Sequence, residues 1–423
     1  MKKFSLILLV ILFGLATAQQ VTINYVTGNR GADVEYANAM AAKYMSTHPN
    51  VTIKVLQGPE SATDRAQQYL QFFEAKSSEV DIFEIDVIWP GDMAEHFIDL
   101  YQYESFQDAA QGFFPAIIEN NTVDGKLVAI PYFTDAGLLF YRTDLLEKYG
   151  FSSAPTTWAE LDNMASVIQA GERADGNQDF WGYVWQGNAY EGLTCDALEW
   201  VASSNGGTIV SPAGEITINN PNAIAALETA KGWVGTISPP GVTGYQEEDA
   251  RNAWHAGNAA FMRNWPYAYG LTLDGPVGEN FSISALPSTE GGNSAATLGG
   301  WQLAVSKYSK NPAVAADFVL FLSSHEGQLS RALVQSNLPT RPAVYTDPAL
   351  LNSDVAFMAN FLPVFRAAVA RPSTATAPNY LQTSKLFYSA VHNVLTGEES
   401  ATDALALLEL DLQDLTGLPI AGQ

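Results

Sequence analysis

Val80-Asp81-Ile82-Phe83-Glu84-Ile85-Asp86-Val87-Ile88-Trp89-Pro90 is the stretch that decides the fold. Its apolar run from Val80 to Ile88 predicts a buried strand, punctuated by the acids Asp81, Glu84 and Asp86. Pro90-Gly91 then turns the chain away, leaving Asp86 and Trp89 at the carboxyl end of that strand. Upstream, Val21 to Val26 alternates as a strand, and a loop from Thr27 to Ala32 follows. A helical pattern through Tyr36, Met40 and Tyr44 stops before Pro49, Val51 to Leu56 reads as a strand, and Arg65 to Phe73 is helical again. Strands alternating with helices predict an α/β fold, a mostly parallel sheet with helices on both faces. Ligands of such sheets bind beyond the carboxyl ends of the strands, which makes Asp86 and Trp89 candidates.

Downstream, Lys126 to Tyr132 predicts a strand, followed by Asp135-Ala136-Gly137 and a second strand from Leu138 to Tyr141. Asp144 to Tyr149 begins a helix that Gly150 closes. Thr157 and Glu160 form a capping box for the next helix. Residues 171–180 read as a polar loop, and Trp181 to Trp185 as a strand. Tyr190 to Ala202, Pro221 to Val234 and Glu247 to Met262 read as helices, the last one Ala-rich. Ile283 to Leu286 and Trp301 to Ser306 are strands, and helices dominate from Pro312 onward. Pro266 lacks an N–H and pushes Trp265 out of helical geometry. The helix pattern leading up to Arg263 therefore ends there, with Trp265 and Tyr267 projecting from a loop as core plugs or as a flat ligand platform.

Lys2 and Lys3, the apolar run Phe4 to Ala16, and Ala16-Thr17-Ala18 have the form of a cleaved export signal over residues 1–18. That run is too short to span a bilayer, no later segment holds eighteen consecutive apolar residues, and no cysteine sits near the cleavage site for lipid attachment. The expected product is periplasmic or extracellular. Without Lys2 and Lys3, 19 basic residues face 45 acidic ones, a net charge of −26, which argues against nucleic acid or an anionic membrane as partner. Charged residues make up only 16% of the chain and aromatics 11%, so the acidity belongs to a packed globular protein, not a disordered one. Cys195 is the only cysteine, so burial must supply the stability that a disulfide would otherwise give. A chain of 423 residues predicts two domains.

Signatures of catalysis are mostly missing. His48, His96, His255, His325 and His392 are scattered with no zinc spacing, and there is no phosphate-binding glycine loop or nucleophile elbow. Asp175 to Asp179 resembles the start of a calcium loop, but Phe180 stands where glycine is required and no glutamate closes it. No metal and no cofactor is expected. What remains is a set of acids and aromatics at loop positions: Asp33, Glu35, Asp86, Trp89, Asp135, Trp265, Tyr267 and Trp301. Carboxylates accept hydrogen bonds from adjacent hydroxyls, arginines donate them, and aromatic faces suit the C–H face of a sugar. Together they point to carbohydrate.

Several islands carry a family resemblance. They are Gly125 to Pro131 through Asp135-Ala-Gly-Leu-Leu, Tyr141 to Gly150, Trp181 to Gly187 with Tyr190-Glu-Gly-Leu, Gly257 to Phe261 with Arg263 to Tyr267, Ser294 to Trp301, and Arg371-Pro372. The chain resembles the carbohydrate-binding components of ATP-driven (ABC) sugar importers, closest to the trehalose/maltose-binding type. The resemblance implies a two-lobed, periplasmic-binding-protein-like α/β fold, each lobe a mostly parallel sheet flanked by helices, with the ligand in the cleft between lobes. It implies residues 21–134 plus 305–339 in the first lobe and 135–304 plus 340–423 in the second, with crossings near Phe133–Asp135, Gln302–Val305 and Asn337–Arg341.

By the same resemblance Asp86 and Asp135 accept sugar hydroxyls, Arg65 and Arg371 donate, and Trp265, Tyr267 and Trp301 stack and pack. Gly300 lets the backbone approach the ligand, and Tyr190 belongs to the ligand-binding set. Asp33 takes the place of a first-loop glutamate, with Glu35 as the alternative, and Phe133 stands where the family often has tyrosine. The function implied is non-enzymatic: a monomer binds an α-glucoside disaccharide of the trehalose or maltose kind and delivers it to permease subunits. A secreted glycoside hydrolase, or a binder of another sugar or oligosaccharide, is the alternative.

Overall fold

The computed structural model describes residues 20–422, so the expected export signal over residues 1–18 lies outside the described residues. The strands are β1 (Val21–Thr27), β2 (Val51–Gln57), β3 (Ile82–Asp86), β4 (Thr122–Val123), β5 (Lys126–Leu127), β6 (Ile130–Ala136), β7 (Leu138–Arg142), β8 (Trp181–Val184), β9 (Ala259–Asn264), β10 (Phe281–Ser284) and β11 (Leu298–Val305). They form a five-stranded sheet in the order β2-β1-β3-β11-β6, a four-stranded sheet in the order β10-β7-β9-β8, and a small β4-β5 hairpin. Each larger sheet carries its own apolar core under flanking helices, which defines a first and a second lobe.

The burial of each strand follows its position. At the edge, β2 alternates, with Val51 and Ile53 inward and Thr52 and Lys54 outward. Every residue of the central β3 is buried, its acids included. Those acids survive burial because each has partners: Glu84 accepts from the hydroxyls of Tyr25 and Thr27 at 3.0 and 2.8 Å, and Asp86 accepts from the Arg371 guanidinium at 2.8 Å.

Several expectations need refinement or correction. Each sheet is mostly parallel in strand direction but carries one reversed strand: β11 is antiparallel to both β3 and β6, and β7 to both β9 and β10, while β1 runs parallel to β2 and β3 and β8 to β9. The cause is that β6 and β11 each pass between lobes. β6 stays in the first sheet through Ala136 before β7 begins the second, and β11 rejoins the first sheet at Leu298. The lobe crossings therefore lie beyond Ala136 and before Leu298, so the division at residues 134/135 comes early and that at 304/305 comes late.

The helix expected from Glu247 to Met262 is in fact a helix, Glu247–His255, followed by β9. Gly257 ends the helix at φ +77°, and the alanines beyond it occupy a strand held between β7 and β8. Pairing on both sides overrides their helix propensity. The strand expected over Lys126 to Tyr132 is split into β5 and β6, and the helix Trp158–Ala174 runs into the segment read as a polar loop.

Thr157 does cap that helix: its hydroxyl accepts from the Glu160 amide at 3.1 Å, and the Glu160 carboxylate accepts from the Thr157 amide at 3.1 Å. Thr157→Ala is expected to lower stability by about 1 kcal/mol. Urea unfolding followed by tryptophan fluorescence checks this, and ligand affinity should not move.

Candidate functional site

Both lobes line a cavity at the carboxyl end of β3. Strand register builds the first-lobe wall. Asp86 and Trp301 face one another across β3 and β11, while Gly299 and Gly300 pair with Asp135 and Thr134 across β11 and β6. Gly300 has φ +126°, and a Cβ there would lie 2.6 Å from the Phe133 carbonyl oxygen, so only glycine lets these strands close at this point. Arg30 reaches in from the loop after β1. The second wall comes from separate segments: the first turns of the helix Glu191–Ser203, with Glu191, Gly192 and Cys195, then Glu247 at the start of its helix, Trp265 on the turn after β9, and Arg371.

Each lobe sends one arginine to an acid of the other. Arg371 of the second lobe donates to Asp86 of the first at 2.8 Å and to Glu191 at 2.8 Å. Arg30 of the first lobe stands 3.9 Å from Glu247 of the second. Burial works against charge on both arginines, but Glu247, Asp33 and Asp135 outweigh it for Arg30, and Asp86 leads the acids that do so for Arg371; both are held above the ordinary guanidinium range. Glu191 is also fixed by the hydroxyls of Tyr380 and Ser384, each at 2.6 Å. Even so, burial raises its pKa.

Asp135 is different. Its Oδ1 is buried without a hydrogen-bond partner, and burial pushes its pKa up to about 7, against the pull of Arg30 and Arg331. The Nε atoms of Arg30 and Arg371 are likewise buried and unpaired. Residues lining the cavity thus hold one unpaired carboxylate oxygen and two unpaired guanidinium nitrogens. Hydroxyls match that set, because each can both donate and accept.

An indole lines each wall, and a guanidinium backs each indole. Arg263 lies 3.9 Å from the Trp265 ring centroid, and Arg65 lies 4.1 Å from that of Trp301. Arg263 is itself gripped by Glu199 at 2.6 and 2.8 Å, with Asp196 at 3.0 Å. Arg65 donates to the Pro59 carbonyl at 3.0 and 3.1 Å and faces Glu84 at 3.6 Å. Such fixed rings suit the apolar face of a ligand whose edge is polar.

Of the residues expected from sequence, Asp86, Asp135, Trp265, Gly300, Trp301 and Arg371 line the cavity, and five do not. Asp33 is turned to Arg331 at 2.9 Å, and Phe133 lies under the same guanidinium at 4.1 Å. Arg65 backs Trp301 from behind. Tyr190 donates to Glu247 at 2.7 Å, and Tyr267 to Glu248 at 2.6 Å. The five form a supporting layer outside the cavity lining, each engaged by a partner within the protein. Glu35, the alternative to Asp33, is exposed. Sequence reasoning missed Arg30, Glu191, Cys195 and Glu247. Arg30 was findable in the loop beyond β1, and Glu191 lies beside Tyr190 in a quoted island; Glu247 carried no local signal.

A family described as bacterial extracellular solute-binding protein matches residues 28–329. A protein of Deinococcus radiodurans named "Probable ABC transporter-binding protein" is 47% identical over 99% of each chain. A solved structure described as maltose-bound T. maritima MalE3 is 37% identical, with a TM-score of 0.88 over 93% of this chain and all of that one. The GacH receptor of Streptomyces glaucescens, solved with and without acarbose, shares the fold at 23% identity, with a TM-score of 0.83 over 95% of this chain and 99% of that one.

The raised Asp135 has a consequence for stability. Between about pH 4, the ordinary carboxylate range, and about pH 7 the folded chain holds a proton that the unfolded chain has lost. Stability therefore falls as pH rises through that window. Asp135→Asn removes this slope. Denaturation midpoints of wild type and variant are expected to approach one another near pH 4, with the variant ahead at pH 8.

Proposed function

The chain belongs to the bacterial extracellular solute-binding protein family, and from that membership we propose that its cavity takes an α-linked glucose disaccharide of the maltose or trehalose kind. Proteins of this family are the exported, substrate-binding components of ABC transporters, and this one is a sugar-binding member whose partners are a carbohydrate and permease subunits. The observation that carries the disaccharide reading is the pairing of Trp265 and Trp301, one indole on each wall, around a rim of Asp86, Asp135, Arg30 and Arg371. The maltose seen in the 37% identical T. maritima structure supports it. The same reading makes the protein a monomer released by cleavage of residues 1–18.

In this reading Trp265 and Trp301 stack on sugar faces, Asp135 accepts a hydroxyl, and the free Nε atoms of Arg30 and Arg371 donate. Gly300 keeps the first wall flat. Micromolar binding takes about 8 kcal/mol. Charge-assisted hydrogen bonds at about 1.5–3 kcal/mol each, together with stacking at about 1 kcal/mol per ring, reach that sum without a chemical step. A ligand lacking one hydroxyl leaves a buried group unpaired and is rejected.

Hydrolysis has weaker support. It needs two carboxylates free to act on one glycosidic bond, and Asp86 is tied to Arg371 at 2.8 Å.

Trp265→Ala is expected to weaken maltose or trehalose binding at least tenfold by titration calorimetry, and the sugar is expected to be recovered intact. Unchanged affinity would remove the platform, and free glucose would put the hydrolase in its place.

A further inference from the structure

The helix Tyr380–Thr396 has its two ends in different cores. Phe387, Val391 and Val394 belong to the second-lobe core, while Tyr380 is buried in the first and Leu381 packs against it. No side chain of its own segment caps the amino end of this helix; Asn379, at the cap position, makes no such bond. The cap comes from the other lobe. Asp92, on the short helix Pro90–Met93 just past β3, accepts from the backbone amides of Tyr380 at 3.3 Å and Leu381 at 3.0 Å. The fit is close: a Cβ on the neighbouring Gly91 would lie 2.9 Å from the Ala377 side chain.

We infer that Asp92 is a positioning residue that latches the lobes together and presets the sugar-holding acids from outside the cavity. This rests on the sugar-binding reading above. The physical basis is that the first amides of a helix have no partner within it, and a carboxylate there is favoured by the helix dipole as well as by the bonds. Opening the lobes exposes those amides and withdraws Tyr380 from the first core. The latch also reaches the site: the Tyr380 hydroxyl donates to Glu191 at 2.6 Å, Glu191 pairs with Arg371 at 2.8 Å, and Arg371 pairs with Asp86 at 2.8 Å. Seating Tyr380 therefore orients Glu191, and through it Arg371. Asp92 does not line the cavity, so it stabilises the closed form whatever the cleft holds.

The test uses the full mature chain with Asp92→Ala and Asp92→Asn, the second keeping one acceptor oxygen. Stopped-flow mixing with maltose is expected to show dissociation faster by at least about fivefold in Asp92→Ala, an intermediate value in Asp92→Asn, and association nearly unchanged. Small-angle scattering of the unliganded chain needs no sugar, and there Asp92→Ala is expected to be more open than wild type. Superimposable scattering with unchanged dissociation overturns the latch. So does a melting temperature lowered equally with and without maltose while dissociation holds, which marks an ordinary helix cap. Should wild type fail to bind maltose, the disaccharide reading falls and the scattering comparison alone decides the latch.

Discussion

Arg371 holds the two halves of the molecule in one arrangement. Its guanidinium sits between Asp86 of the first lobe and Glu191 of the second, at 2.8 Å from each, with all three side chains nearly removed from water. Buried charge is costly unless it is paired, and removing one member of such a set typically costs about 3–5 kcal/mol because the others are left stranded. The position of Glu191 at the head of its helix, the placement of Asp86 at the tip of a central strand, and the inward reach of the segment carrying Arg371 all serve this one contact. Arg30 and Glu247 repeat it more loosely in the opposite sense.

Behind that contact the two walls are layered alike. On each, an indole meets the cavity, a guanidinium lies beneath the indole, and a carboxylate holds the guanidinium: Trp265, Arg263 and Glu199 on one side, Trp301, Arg65 and Glu84 on the other. A ring fixed in this way is preorganised, so little rotamer entropy remains to be lost when a ligand arrives. The supporting residues do for the aromatic platforms what second-layer hydrogen bonds do for a metal ligand.

Much of this was legible in the chain. The alternation from Val21 to Trp89 identifies the α/β lobe, because apolar strands bounded by capped helices leave few other packings. Of the residues singled out from sequence, Asp86, Asp135, Trp265, Gly300, Trp301 and Arg371 line the cavity. Asp33, Arg65, Phe133, Tyr190 and Tyr267 do not, since sequence shows which groups have polar tips but not whether an internal partner has already claimed them. Arg331, which takes Asp33, lies nearly three hundred positions away. β9 was hidden for a different reason: a strand buried on both faces shows no period of two, and its alanines read as helix. The reversed direction of β11 could not be seen either, because direction is a property of the crossover and not of the strand's own residues.

One wall of the cavity is carried on adjacent strands in fixed register, with Asp86 opposite Trp301 and Asp135 opposite Gly299. The other is assembled from Glu191, Glu247, Trp265 and Arg371, which sit on separate elements and share no strand ladder. The two walls therefore transmit change differently. A substitution on the strand wall is felt by its cross-strand neighbours through the sheet, whereas on the opposite wall it is felt through side-chain pairs such as Arg371 with Glu191 and Trp265 with Glu247. Divergence toward new cargo through the second lobe would thus proceed by paired side-chain changes, with no strand register to disturb.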